Sequence, residues 1–270
     1  MQLSYAAPTD SFPRRTLIRG VESLTGARTI QRLYDGLQGV PPSQLYQAAL
    51  EALQIDVTFD GHPLEMVSRQ GPIVLLGNHP FGVLDGLILC AVASKLRAEF
   101  RVLTNSVLCF DERIREHLLP IDFAETREAQ RTNVATKRAA IDTLKGGGLV
   151  ALFPAGAVST APSTFGQVVD LEWKSFVAKL VRGAEATVVP LYFHGQNGRL
   201  FQWVSQFSAT LRLSLLLREL NRRRGQQVHV TVGSPLDWCV LQEARGRQAL
   251  TERLRNSVAD LQPGSVDLRS

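Results

Sequence analysis

The chain has 270 residues, enough for one sizeable hydrophobic core, and its three cysteines are too few and too widely spaced for a disulfide framework. No apolar run reaches the roughly 18 residues of a membrane-spanning helix, and residues 1–13 lack the charged-then-apolar pattern of a signal peptide. The net charge of +5 favours anionic partners such as phosphates or lipid head groups, although a solvated basic surface explains it equally well.

The first 66 residues are predicted to form a helical segment ahead of an α/β domain over residues 67–270. From Phe12 to Leu37, apolar residues recur at helical spacing and arginines lie between them. Such a segment either lies on an anionic membrane surface or packs on the core as an ordinary helical hairpin. A second helix is predicted over Gln44–Leu53, with Ser43 as its N-cap.

Strand and helix patterns then alternate along the chain. Residues 55–59 alternate in polarity, and the following Asp60-Gly61 pair predicts a hairpin before the main sheet. Further strands are predicted at Ile73–Leu76, Phe100–Leu103, Leu119–Asp122, Leu149–Phe153, Val188–Phe193 and Val228–Val232. Helices are predicted at Leu87–Leu96, Asp111–Leu118, Thr132–Leu144, Glu172–Val181, Leu211–Arg224 and Leu241–Leu261. The alternation predicts an α/β fold, a mostly parallel central sheet with helices on both faces, in which Pro190 marks an edge strand or a bulge.

The most chemically suggestive stretch lies between the predicted strand Ile73–Leu76 and the next helix. It places His79 and Asp85 in a turn rich in glycine and proline. An imidazole accepts a proton near neutral pH, and a carboxylate on its other nitrogen would stabilise the imidazolium. The alternatives are that Asp85 caps the helix and that His79 is a turn residue satisfied by the backbone.

Other catalytic signatures are missing from the sequence. There is no Gly-x-Ser-x-Gly nucleophile, no Walker loop and no Gly-x-Gly-x-x-Gly motif. The histidines show no zinc-ligand spacing with the cysteines. If His79 is catalytic, it therefore activates a hydroxyl or an amine of a substrate, which indicates direct group transfer.

Three ordered blocks resemble those of the glycerolipid (lysophospholipid) acyltransferase family. The first runs from Asn78 to Gly86, the second from Phe153 to Ser159, and the last from Val189 to Asn197. The first block is closest to that of the bacterial hemolysin-labelled branch, which includes acyltransferases of ornithine-lipid synthesis. This branch has five residues between the histidine and the aspartate, where the wider family has four. The resemblance covers about residues 72–235.

The resemblance implies a mechanism and a set of site residues. His79 would deprotonate a lysolipid hydroxyl with the support of Asp85, and the oxygen would attack the thioester of acyl-CoA or acyl carrier protein. Arg127 and Arg131 are candidates for the acceptor's phosphate, and a solvated helix face is the alternative for both. The substrate-binding candidates that it implies are Asn78, Phe81, Gly82, Arg127, Arg131, Phe153, Pro154, Gly156, Ser159 and His194. It implies no metal and no prosthetic group.

The block at Phe153–Ser159 departs from its relatives, because Ala155 and Ala157 stand where they carry an acidic residue. A cationic acceptor would therefore be less favoured, and Ser159 and Thr160 remain as neutral hydrogen-bonding groups. The departure also motivates a second hypothesis, a catalytically weakened lipid-binding or acyl-carrier-binding protein of the same fold.

A lipid substrate requires contact with a membrane. The basic amphipathic stretches at residues 14–37 and 211–224 are the candidates, and they would hold the protein peripherally on the cytoplasmic face of the inner membrane. For residues 211–224 the alternative is a core helix with a charged end. We expect no nucleic acid as a partner, because basic and aromatic residues are not interleaved as in nucleic-acid-binding modules.

Overall fold

A seven-stranded mixed sheet organises the described part of this computed structural model, which comprises residues 12, 16, 20, 26–105, 112–122, 124, 126–161, 166, 168–207 and 209–263. The strands are β1 Asp56–Gly61, β2 Ile73–Gly77, β3 Phe100–Asn105, β4 Leu118–Ile121, β5 Leu149–Leu152, β6 Thr187–Phe193 and β7 Gln227–Val232. The α-helices are α1 Ala27–Asp35, α2 Pro42–Ala52, α3 Val83–Leu96, α4 Arg127–Lys145, α5 Phe176–Ala184, α6 Arg199–Ser205, α7 Ala209–Arg222, α8 Trp238–Leu241 and α9 Arg247–Ala259.

The strand order is β1-β7-β6-β2-β5-β3-β4, and every neighbouring pair is parallel except β6 and β7. The predicted α/β class with a mostly parallel sheet is confirmed. Strands β2, β5 and β6 run in the same direction, so their carboxyl ends meet at one edge of the sheet. Ligands of open α/β sheets bind in the crevice beyond this edge.

The core lies on both faces of the sheet. Ile73, Val74, Leu75 and Leu76 of β2 are all fully buried. Ile73 and Leu75 pack with α2, α3 and α7, whereas Val74 and Leu76 pack with α4, α5 and α9. A strand that is covered on both faces reads as a continuous apolar run, and each such side chain contributes about 1.5–3 kcal/mol of burial free energy. The position of the site at the end of β2 is therefore firmly held.

The predicted hairpin at residues 55–61 is wrong, because Asp60 and Gly61 end β1 and this strand pairs in parallel with β7. The polar side chains of β1 meet polar side chains of β7. Thr58 Oγ1 lies 3.1 Å from His229 Nδ1, and Asp60 Oδ2 lies 3.0 Å from His229 Nε2. The polar residues that alternate along β1 therefore pair with a strand far along the chain and not with a hairpin partner. The predicted boundary after residue 66 stays a prediction.

Pro190 is not on an edge strand, because β6 lies between β2 and β7. A proline inside a sheet lacks one donor. Pro190 O accepts the Gly233 N–H at 2.8 Å, and Gly233 follows the end of β7. The register of β6 and β7 places Gly233 opposite Pro190, so the proline lacks the N–H for the second bond of this pair. The register then shifts by one residue, because Val188 pairs with Leu236, which fits the predicted bulge.

Several helix boundaries differ from those predicted. Helix α2 begins at Pro42, without a side-chain cap from Ser43. Helix α4 begins at Arg127, five residues earlier than predicted, because Thr126 Oγ1 accepts the Ala129 N–H and caps it. In place of the helix predicted over Asp111–Leu118, the described residues hold only a short 3-10 turn at Arg115–His117.

Other helices differ in extent or were not predicted. Helix α5 begins at Phe176, not at Glu172, and continues to Ala184, past the predicted end at Val181. The helix predicted over Leu241–Leu261 is divided into α8 and α9. Helix α6 was not predicted.

The two stretches proposed for membrane contact have different outcomes. In α7 the side chains of Leu215, Leu216 and Leu217 are buried in the core, so the core-helix alternative is correct for this stretch. Most of residues 14–25 lie outside the described residues, and Ile30 of α1 packs into the core. No helix in the described part of the chain combines the length and apolarity needed to cross a bilayer.

Candidate active site

The turn between β2 and α3 is attached to the end of β6. Asn78 Nδ2 donates to Phe193 O at 3.0 Å, and Asn78 Oδ1 accepts the Phe193 N–H at 2.7 Å. This paired contact replaces a pair of ladder bonds after β2 has ended. It holds the start of the turn, and thus His79, at the carboxyl edge of the sheet.

His79 and Asp85 face each other across this turn, with His79 Nδ1 3.0 Å from Asp85 Oδ1. Asp85 is fully buried, and its carboxylate also accepts the N–H groups of Phe81 (2.8 Å) and Gly86 (2.9 Å). The His79 pair lacks the angle of a hydrogen bond, and Nδ1 has no other partner among the described residues. Catalytic hydrogen bonds often align only when substrate binds. The predicted approach of these two side chains is present.

A phenylalanine ring supports the imidazole of His79 on one face. Its ring stacks on Phe153, with centroids 3.9 Å apart and an interplanar angle of 13°. Phe153 in turn packs edge-on against Phe193. Nδ1 faces Asp85 and 16% of the His79 side chain is exposed. Nε2 is therefore the nitrogen that is left for a substrate.

A second carboxylate, Asp170, holds the backbone of His79, and the sequence had not indicated it. Asp170 Oδ1 accepts the His79 N–H at 3.2 Å and also the hydroxyl of Ser159. Asp170 Oδ2 accepts the indole N–H of Trp173 at 3.1 Å. The Ser159 N–H donates to His79 O at 2.8 Å. Both backbone groups of His79 are thus fixed by the segment that follows β5.

Gly82 permits the close approach of helix α7 to the turn. Its φ is +89°, and a Cβ at this position would lie 2.7 Å from Leu216 Cδ2 and 3.1 Å from Val158 Cγ2. Any larger residue would be strained and would push against α7. The glycine therefore has a structural reason, independent of any contact with substrate.

Phe81 is buried beneath a cation. The guanidinium of Arg223 lies 4.0 Å from the centre of the Phe81 ring, and Arg223 Nη2 donates to Gln196 O. Burial lowers the pKa of Arg223, while Glu219 and Asp85 act in the opposite direction. Asn197 Nδ2 donates to Phe81 O at 3.3 Å. Arg223 and Asn197, neither of which was among the predicted site residues, thus contact the ring and the backbone of Phe81, respectively.

The remaining predicted site residues make no hydrogen bond, ion pair or ring contact with His79 within the described part of the chain. Pro154 is buried, and Gly156 is exposed in the turn after β5 with φ +71°. Arg127 and Arg131 are exposed at the start of α4. His194 turns towards β7, with its Nε2 2.7 Å from Thr231 Oγ1 and its ring 4.7 Å from that of His229.

The two alanines that replace acidic residues are in different surroundings. Ala155 is buried in the apolar cluster that contains Leu152 and Trp173, on the face of the sheet opposite Leu75. A carboxylate at this position would be desolvated. Ala157 is partly exposed. Within the residues that the structure describes, no group of three or more His, Cys, Asp or Glu side chains is arranged to hold a metal ion.

Comparisons with known proteins agree with the resemblance. A family model described as "Acyltransferase" matches residues 6–264. The lyso-glycine lipid O-acyltransferase of Phocaeicola vulgatus is 27% identical over 200 residues, which cover 71% of this chain and 68% of that protein. A second protein of this name, from Bacteroides thetaiotaomicron, is 25% identical over 223 residues, which cover 80% of this chain and 78% of the relative.

Among solved structures, the crystal structure of the 1-acyl-sn-glycerophosphate (LPA) acyltransferase PlsC from Thermotoga maritima is similar to this one. The similarity covers 91% of this chain and 93% of that chain, with 14% identity and a TM-score of 0.47.

Proposed function

This chain belongs to the acyltransferase family whose model spans residues 6–264, and we propose that it transfers a fatty acyl group from a thioester to the hydroxyl of a lysolipid. The observation that carries the proposal is the 3.0 Å approach of His79 Nδ1 to the fully buried Asp85 at the carboxyl end of β2. The proposed donors are acyl-CoA and acyl carrier protein.

In the proposed reaction His79 is the general base. Its Nε2 accepts the proton of the acceptor hydroxyl while the oxygen attacks the thioester carbonyl. The C–S bond then breaks, and the thiolate leaves with the proton that the imidazolium returns. Asp85 stabilises the transient imidazolium from the Nδ1 side. Two backbone N–H groups already fix this carboxylate, so it needs no reorientation during the reaction.

Asp170 and Ser159 serve this reaction as positioning residues. They hold the N–H and the C=O of His79 and thereby set the height of the imidazole over Phe153. The Ser159 side chain is buried and its hydroxyl is bonded to Asp170. We therefore propose that Ser159 acts through His79 and not as a contact to the acceptor head group.

We propose that the acceptor carries an anionic head group without a free ammonium. Ala155 and Ala157 leave the block after β5 without the carboxylate that would pair with a cation, and Ala155 is buried among apolar side chains. A glycine head group that is joined to its acyl chain through nitrogen has a carboxylate and no ammonium, and the two relatives are named for a lyso-glycine lipid. The exposed Arg127 and Arg131 are the proposed partners of the anion.

The test is an acyl-transfer assay with purified protein. We would incubate it with acyl-CoA or acyl carrier protein and, separately, lyso-glycine lipid, lyso-ornithine lipid and lysophosphatidic acid, and identify products by mass. We expect an O-acylated product with the first acceptor, a slower reaction with the ammonium-bearing one, and no product with the His79→Ala variant. Equal product from the variant would overturn the mechanism. Lipid or carrier binding without thiol release would favour the weakened binding protein instead.

A further inference from the structure

Three large apolar side chains form an exposed stripe along α6 and the residues that follow it. Leu200, Trp203 and Phe207 are 43%, 50% and 72% exposed, respectively, and their spacing of three and four residues places them on one face. The opposite face of the helix carries Phe201 and Gln202, which are buried. We call Leu200, Trp203 and Phe207 the aromatic stripe.

The aromatic stripe is one patch and not a set of isolated side chains. The rings of Trp203 and Phe207 contact each other, with centroids 5.3 Å apart. Single exposed apolar residues are ordinary, whereas a contiguous group with two aromatic rings indicates a binding surface.

The stretch of chain that contains the stripe has basic residues and no acidic residues. Residues 186–218, which include α6 and most of α7, contain no Asp or Glu and three arginines. Arg199 is exposed at the first position of α6, beside Leu200. The nearest acidic residue on α7, Glu219, is buried and paired with Arg218 and Arg222. An apolar, aromatic surface in a locally cationic setting complements the anionic head groups of a bilayer.

The stripe is connected to the catalytic turn through a short series of contacts. Gln202, on the inner face of α6, accepts the Ala161 N–H through Oε1 at 3.0 Å. The adjacent Thr160 pairs with Val169, which is next to Asp170. Asp170 in turn holds the His79 N–H. A surface that is fixed to this segment would therefore also fix the position of His79 relative to the bilayer.

On the premise of the proposed function, we propose that the aromatic stripe is the surface by which this protein docks on an anionic bilayer. Trp203 and Phe207 enter the head-group region, where aromatic rings with an apolar body concentrate, and Arg199 pairs with lipid anions. This surface takes the place of residues 211–224, whose central leucines are buried in the core.

The test measures sedimentation with vesicles of phosphatidylcholine, with and without phosphatidylglycerol. These vesicles contain neither lysolipid nor thioester, so the result is independent of the proposed reaction. We expect the double variant Trp203→Ser/Phe207→Ser to bind anionic vesicles at least about tenfold more weakly than the unmodified chain. Val134→Ser removes an equally exposed apolar residue on α4 and should bind normally.

Two further measurements separate the possible outcomes. Tryptophan emission should shift to the blue when vesicles are added, and the Trp203→Phe variant should lose this shift. Acyl transfer in detergent micelles should be retained by the double variant.

Unchanged vesicle binding by the double variant would overturn the proposal. If the double variant lost self-association and kept vesicle binding, the stripe would be an interface between two copies of this chain. Absence of transfer by the unmodified chain would overturn the proposed function and not this one.

Discussion

Asp170 Oδ1 accepts the backbone N–H of His79 at 3.2 Å, although the two residues are 91 positions apart. The same oxygen accepts the Ser159 hydroxyl, and Ser159 N–H binds His79 O. His79 is therefore held by one carboxylate that approaches its backbone, while Asp85 approaches its side chain. In the proposed mechanism the two carboxylates have separable roles, orientation of His79 by Asp170 and support of the imidazolium by Asp85.

Replacing Asp170 with asparagine should slow the reaction by misplacing His79. The amide can accept on only one side, so either the His79 N–H and Ser159 hydroxyl or the Trp173 N–H loses its acceptor. We expect kcat to fall by about ten- to a hundredfold, with KM for both substrates little changed. Steady-state kinetics measure kcat and KM separately and so test this expectation.

Trp173→Phe is the matched control, because it keeps an aromatic ring in the buried cluster, removes the donor to Asp170 Oδ2 and leaves the contact with His79 in place. Its kcat should stay close to that of the unmodified chain. A rise in KM for Asp170→Asn with unchanged kcat would instead make Asp170 a contact to substrate.

Substitutions of His79 and Asp85 should both slow the reaction, and that of Asp85 should also destabilise the protein. His79→Ala removes the base and should lower the rate at least about a hundredfold. Asp85→Asn should lower the rate as well, and it should also cost roughly 1–3 kcal/mol of unfolding free energy, since the buried amide cannot accept from both Phe81 and Gly86. Urea unfolding and acyl-transfer rates on the same preparations test both statements. Transfer at the full rate by Asp85→Asn would remove Asp85 from the mechanism.

The His79–Asp85 contact was predictable because it is local. Both residues lie in one turn, and the strand before it and the helix after it have clear patterns. Asp170 was not predictable, because its contact with His79 depends on the pairing of β2 with β5 and on the path of the chain after β5. Nothing in the residues around Asp170 marks it as different from any other partly exposed acid.

The fold shows the same division between local and distant contacts. The strands that are buried on both faces were recognised from their apolar runs, as in Ile73–Leu76. The partner of β1 was not, since Thr58 meets His229, 171 positions away. In residues 211–224 leucines and arginines occur together, so hydrophobicity alone did not separate a surface helix from a core helix. The burial of Leu215–Leu217 shows that this stretch is a core helix.

Gly82→Ala should destabilise the protein more than Gly147→Ala does. Both glycines have a positive φ, +89° and +80°, so alanine is strained at each. Only at position 82 does the added Cβ also collide, 2.7 Å from Leu216, whereas nothing lies within 4 Å at position 147. We expect the loss of unfolding free energy to be larger by about 1–3 kcal/mol at position 82. Equal losses in urea unfolding would show that α7 moves aside without cost.

The stability of the protein should decrease as the pH falls below that at which a free histidine titrates, and His117 should contribute to this decrease. Burial lowers the pKa of His117, and Arg101 acts in the same direction, against Glu116 and Glu99. Its ring stacks on Phe100, and Nδ1 lies 3.1 Å from the Tyr46 hydroxyl. Since the folded-state pKa is depressed, the unfolded chain binds the proton first as the pH falls below about 6.5.

Comparison with a His117→Gln variant isolates this contribution. Between about pH 8 and about pH 5, the unfolding free energy of the unmodified chain should decrease more than that of the variant, because only the former has His117, whose protonation is resisted in the folded state. Urea unfolding at the two pH values gives both differences. Equal decreases in the two proteins would mean that His117 is protonated as readily in the folded as in the unfolded chain, and would assign the acid sensitivity to other groups, among them His194, whose pKa burial also lowers.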